Sequence, residues 1–175
     1  MDFWAIIKRM NNSTQKGRVI IPAGRRPWPH ELRVADILAM AGHVVEFIPE
    51  SNTKTADLYL DGIGFEIKSP RSANANSLEH ILKKALKQSC NIIIDTSRMY
   101  DSRDDNTRRF LINQVRSRKQ IKRLILITKQ GRIIDINSLV WYNKNIEVPA
   151  RRRRYLPQEL LFLFFAVFFA NNFQN

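Results

Sequence analysis

Residues 57 to 68 read DLYLDGIGFEIK, two short alternating runs joined by a glycine-bearing connection, the pattern of a tight β-hairpin. Taking Asp61 and Gly64 as the paired ends of a two-residue loop sets Tyr59 opposite Glu66 and Asp57 opposite Lys68. Side chains two residues apart on a strand share a face. On this register Asp57, Glu66 and Lys68 emerge on one side of the sheet, with Glu66 diagonal to Asp57. Leu58 and Ile67 point to the other side, into the core. The parity depends on the turn type, since a one-residue bulge would reverse it.

Upstream, HVVEFI (His43 to Ile48) stops at Pro49 and reads as a third strand. Before it, Pro29 starts and Gly42 ends a helix that is apolar on most of its circumference and is expected to be largely buried. Residues 11 to 29, punctuated by Gly17, Pro22, Gly24, Pro27 and Pro29, read as loop. Downstream, Leu78, Ile81, Leu82, Ala85 and Leu86 recur at helical spacing, and Asn91 to Asp95 (NIIID) reads as a buried strand. Residues 107 to 123 form a further helical candidate. Leu124 to Thr128 and Arg132 to Ile136 then read as two strands around Gly131. The order is helix, three strands, helix, strand, helix, strand pair. It predicts an α/β fold with one mixed central sheet flanked by helices.

The chain has 175 residues, enough for one domain with a real core. A single cysteine, Cys90, excludes a disulfide framework and multi-cysteine zinc sites, and is expected to be an inert core residue. Lysine and arginine number 29 against 16 acids, a net charge of +13 that points to a polyphosphate partner, with an anionic membrane surface second. Met1 to Met10 lacks the order of a secretory signal, and a cytoplasmic location is expected. At the other end Arg151 to Arg154 precede an apolar, Phe-rich run from Leu160 to Ala170. As a helix that run spans about 16 Å, too short to cross a bilayer. It suits a core-docking helix, an interfacial anchor or a partner-binding segment.

Two carboxylates and an amine converging on a sheet face are costly unless something compensates. A hard divalent cation, Mg²⁺ or Mn²⁺, would do so through Asp57 and Glu66, with Lys68 beside it to orient or deprotonate a water. An ordinary cross-strand Asp–Lys pair with Glu66 as a solvated neighbour is the alternative. Glu31 shares its helix stripe with Val34, Ala35 and Leu38. It either complements the helix dipole or faces the sheet and adds a third carboxylate. The segment 107 to 123 carries Arg108, Arg109, Arg116, Arg118, Lys119, Lys122 and Arg123 without an acid, a natural phosphate-tracking surface. Trp28, Trp141 and Tyr142 are expected in the core rather than stacked on bases. His30, His43 and His80 lack zinc-ligand spacing.

An acid on the first helix, then Asp57, then Glu66-Ile67-Lys68, resembles the active-site pattern of the PD-(D/E)XK nuclease superfamily, which has the restriction-endonuclease-like fold. Ala56 stands where that motif's proline often sits. The run from Glu31 through ADILAMAGHVVEFIP to ADLYLDGIGFEIKSP more closely resembles the C-terminal tRNA nuclease domains of CdiA-type contact-dependent growth-inhibition toxins. The likeness is strong over residues 31 to 70 and looser to 136. It implies a nuclease domain over residues 28 to 150, between an N-terminal extension (1 to 27) and a basic, apolar tail (151 to 175). It also implies metal-dependent cleavage of RNA, tRNA in particular, with Asp57, Glu66 and Glu31 as metal ligands and Lys68 as the catalytic lysine. Ser69 would lie at the substrate edge, beside phosphate contacts from Arg108, Arg109, Arg116, Arg118 and Lys119. A toxin of this kind would need an acidic immunity protein. The rival readings are a DNA endonuclease of the same fold, a non-catalytic nucleic-acid-binding module, and a membrane-associated protein using the tail.

Overall fold

The structure, a computed structural model, describes residues 17 to 49, 55 to 100 and 104 to 145. Met1 to Met10 and the tail from 151 to 175, for which expectations were stated above, lie outside the described residues. The chain divides into two units, residues 1 to 140 and 141 to 175. All seven strands belong to the first.

Strands β1 (Arg18–Ile20), β2 (Val44–Phe47), β3 (Leu58–Leu60), β4 (Ile63–Lys68), β5 (Asn91–Asp95), β6 (Arg123–Ile127) and β7 (Ile133–Asp135) form one sheet in chain order. β3 runs antiparallel to both β2 and β4, β4, β5 and β6 run parallel to one another, and β7 returns antiparallel to β6. Four helices are described: α1 (Pro29–Met40), α2 (Ala75–Ala85), α3 (Asp104–Ser117) and α4 (Ile136–Asn145). The mixed sheet with helices is the expected α/β arrangement, with two additions at its ends.

The first addition is β1, in the stretch expected to be loop. It is held by parallel pairing to β2, from Arg18↔Val44 to Ile20↔Glu46. Its approach needs Gly17: a Cβ there would lie 2.1 Å from Ala39 O and 2.6 Å from His43 O. The second is α4, expected neither as helix nor as strand. Asp135 ends β7 and its Oδ1 accepts the Asn137 and Ser138 amides, an N-cap that turns the chain into the helix.

The sheet has a core on each face. On one face Val34, Ala35 and Leu38 of α1 pack with Val45, Phe47, Leu58, Leu60, Phe65, Ile67, Ile93 and Ile127. On the other, Leu82 and Ala85 of α2 and Leu111 of α3 pack with Ile92, Ile94, Leu124 and Leu126. The alternation along β5 and β6 sends successive side chains to opposite layers, as a strand covered on both faces requires. α1 is less buried than expected. Its sheet-facing stripe is buried, but Met40 is 89% exposed and Asp36 is exposed.

The hairpin register differs from the expected one. Leu60 pairs with Ile63, Tyr59 with Gly64 and Leu58 with Phe65. The turn residues are therefore Asp61 and Gly62, not Gly62 and Ile63. Both have positive φ (51° and 81°), as a type I′ turn demands, and Asp-Gly is the dipeptide that best supplies it. The ladder is displaced by two residues, so each strand keeps its faces while every cross-strand partner changes. Tyr59 faces Gly64 instead of Glu66, and Asp57 comes level with Glu66 instead of Lys68.

Candidate active site at the β3–β4 hairpin

Asp57 immediately precedes β3 and straddles Glu66. Its amide donates to Phe65 O at 3.0 Å, and its Oδ2 accepts the Ile67 amide at 2.7 Å. These bonds fix the Asp57 carboxylate beside the Glu66 side chain. Glu66 is fully buried, and its ladder partner is Ile92, in the layer covered by α2 and α3. Lys68, two residues on and therefore on the same face, donates from Nζ to Glu66 Oε1. The other Glu66 oxygen, Oε2, is buried without a hydrogen-bond partner.

That environment works against charge on Glu66. Burial pushes its carboxyl from 4.5 up to about 7; the Lys68 hydrogen bond opposes the rise and the neighbouring Asp57 charge adds to it. A buried carboxylate oxygen with no donor, next to a second carboxylate, is left with its acceptor capacity unused. It suits a hard divalent cation, whose charge would remove the penalty and whose remaining positions would take water or phosphate oxygen. Asp57 and Glu66 would hold such an ion. Among the described residues, no three His, Cys, Asp or Glu side chains gather in metal-holding geometry.

Glu31 is engaged elsewhere. Its Oε2 accepts the Trp28 amide at 3.0 Å and pairs with Arg25 at 3.1 Å. The first contact is half of a capping box at the start of α1, and an acid there also complements the helix dipole. Arg25 in turn lies 5.9 Å over the Phe47 ring. α1 packs on the sheet face opposite Ile92, the partner of Glu66.

The basic segment also differs from the expected helix. α3 starts at Asp104, so two acids occupy its first turn, and it ends at Ser117. Arg108 pairs with Asp105 at 3.0 Å, Arg109 donates to Asn106, and Arg118 reaches Glu79 of α2 at 2.7 Å. Arg118 and Lys119 follow the helix rather than lying on it, and Arg116 is in its last turn. Cys90 is exposed rather than in the core, because it sits in the turn leading into β5. Trp28, at the N-cap of α1, is 65% exposed, and Trp141 is 56% exposed.

Sequence reasoning missed Asp95. It is fully buried at the C-terminal end of β5 and is saturated with donors. Oδ1 accepts from Arg33 at 2.7 Å and from the Ser97 amide; Oδ2 accepts from the Ser69 and Ser97 hydroxyls. Arg33 continues to the carbonyls of Thr128 and Lys129 beyond β6. One guanidinium and one carboxylate thus tie together the ends of β4, β5 and β6. An acid closing an otherwise apolar strand, NIIID, was the available signal.

Among the described residues no helix is long and apolar enough to cross a membrane. No curated protein matches the chain. Among solved structures, the CdiA-CT/CdiI toxin and immunity complex from Burkholderia pseudomallei is similar over 65% of this chain and 90% of that one, at 19% identity and a TM-score of 0.47. Residues 54 to 133, which include Asp57, Glu66, Lys68 and Asp95, match the family described as contact-dependent growth inhibition CdiA C-terminal domain.

Proposed function

We propose that this chain is a toxin-type, metal-dependent endonuclease that hydrolyses RNA phosphodiesters, with tRNA as the favoured substrate. The observation that carries the reading is the cluster of Asp57, Glu66 and Lys68, in which a buried Glu66 oxygen has no hydrogen-bond donor among the described residues. The match to the CdiA C-terminal family over the segment holding these residues supports it. The resemblance of residues 31 to 70 to tRNA nuclease domains supports the choice of RNA.

Mg²⁺ or Mn²⁺, held by Asp57 and Glu66, would supply Lewis acidity and neutralise charge on the scissile phosphate. Like the half-buried Asp57, Lys68, whose side chain is 27% exposed, reaches solvent. Its ammonium locks Glu66 Oε1 and is placed to hold an incoming water and to offset charge developing on the phosphate. Asp57 is held by the Ile67 amide, so its carboxylate needs no reorganisation when substrate arrives. The capping role of Glu31 gives it the orientation of α1 instead of a share in holding the ion. A net charge of +13 supplies non-specific affinity for a polyanion. It also suits an acidic inhibitor protein that protects the producing cell.

The test is cleavage of total tRNA and of plasmid DNA, side by side, with Mg²⁺ or Mn²⁺ and with chelator. Metal-dependent loss of tRNA is expected. Glu66→Gln and Lys68→Ala should each lower the rate by at least about a hundredfold while folding stays intact. Loss of plasmid with intact tRNA would replace RNA by DNA. Wild-type rates in both variants would end the nuclease reading.

A further inference from the structure

At the C-terminal ends of the parallel strands lies a cleft of about 410 Å³ lined by Arg71, Ser97, Arg98, Met99, Tyr100 and Lys129. Its size falls within the roughly 300–1,000 Å³ of small-ligand clefts. Three of its six lining residues are cations and none is an acid. Arg71 and Arg98 have no carboxylate partner among the described residues, whereas Arg108 and Arg118 are spent on Asp105 and Glu79. Tyr100 is 81% exposed, an unusual position for a large ring.

The cleft walls are built rather than incidental. Arg71 follows Ser69, whose hydroxyl is tied to Asp95. Ser97 is tied to the same carboxylate through both its amide and its hydroxyl. Lys129 is fixed at its carbonyl by Arg33, and its Nζ donates to Tyr100 O at 3.3 Å. Met99 is buried, and its amide donates to Thr96 O, pinning the turn that presents Tyr100. The saturated Asp95 and Arg33 therefore brace the loops that carry the three cations and the ring. Arg71 follows Lys68 by three residues, at most about 10 Å of chain.

We infer that this cleft is a nucleotide subsite for the RNA strand. Arg71, Arg98 and Lys129 take phosphates flanking the scissile one, and Tyr100 stacks on an unpaired base. The inference rests on the nuclease reading and deepens it by naming where the substrate lies and what form it takes: a single-stranded segment, since a stacked base must leave its helix.

The test uses the full chain in a Glu66→Gln background, so that RNA survives, with a fluorescein-labelled single-stranded RNA read by anisotropy across a salt series. Replacing Arg71, Arg98 and Lys129 together by Ala should lower the slope of log affinity against log salt by about 2, at roughly 0.7 per phosphate contact. Tyr100→Ala should weaken binding by about 5- to 150-fold with the slope unchanged. Arg18→Ala, exposed at the start of β1, should change affinity less than about twofold. These side chains are at the surface, and circular dichroism confirms that each variant folds. Parental affinity and slope in the triple variant would overturn the subsite while leaving Glu66-dependent cleavage standing. Absence of RNA binding by the Glu66→Gln parent would overturn the subsite and the reading beneath it.

Discussion

Replacing Glu66 by glutamine should stabilise the metal-free protein at the pH where it destroys activity. Glu66 is fully buried with one oxygen lacking a donor, and its carboxyl sits at about 7 against an ordinary 4.5. Between these values the folded chain keeps a proton that the unfolded chain has lost. Stability therefore falls as pH rises from about 4.5 to about 7 and levels off above. At about 1.36 kcal/mol per tenfold change in proton affinity, the ceiling on this loss is roughly 3 kcal/mol. Water reaching the Lys68 side of the pair reduces the expected value to about 1–2 kcal/mol. Glutamine resembles the protonated acid and carries no such penalty. Urea unfolding followed by circular dichroism, in chelator at pH 5 and pH 8, measures the difference. The variant should match the wild type within about 1 kcal/mol at pH 5 and exceed it at pH 8. An equal difference at both pH values would show that ionising Glu66 costs the fold nothing, and the argument for a compensating cation would lose its basis.

Adding Mn²⁺ at pH 8 should raise the wild-type unfolding free energy by about 2.7 kcal/mol at a hundred times the dissociation constant, and should leave Glu66→Gln unmoved in the same urea titration. Asp95→Ala should cost about 3–5 kcal/mol, because it strands the Arg33 guanidinium and two serine hydroxyls; Asp95→Asn, which keeps the acceptor oxygen, should cost less in parallel melts. Gly17→Ala should destabilise by at least about 1–3 kcal/mol, since the new methyl would meet the Ala39 and His43 carbonyls; hydrogen exchange should show the β1 amides losing protection first.

Local pattern was enough wherever an element is long or its turn chemistry strong. NIIID became β5 over the expected residues, and the apolar spacing around Leu82 became α2. The hairpin was legible, but its register was not read from the best signal, the Asp61-Gly62 pair that alone satisfies two positive φ values. The error was an even number of residues, so the faces of Glu66 and Lys68 were right although every cross-strand partner was wrong. β1 escaped because three residues carry no period, and what makes them a strand is a neighbour far along the chain. α4 escaped because Asp135 was read as lying inside a strand that ran to Ile136, not as an N-cap. The Asp95–Arg33 contact joins residues on different elements, and no spacing rule reports it. The stripe containing Glu31 was correct, yet whether such an acid faces inward or caps its own helix depends on Arg25, in a stretch read only as loop.

The hairpin carrying Asp57, Glu66 and Lys68 is the most local part of the sheet, whereas β5 reaches β4 only by a parallel crossover. Loop-closure entropy favours the early formation of such a hairpin, on a microsecond scale. The two carboxylates then meet while still hydrated and easily tolerated. Their repulsion is felt only when β5 and α2 dock and squeeze out water. A nascent chain thus assembles its reactive pair before it commits to dehydrating it, and acidity should act mainly on how fast the finished molecule comes apart rather than on how fast it forms.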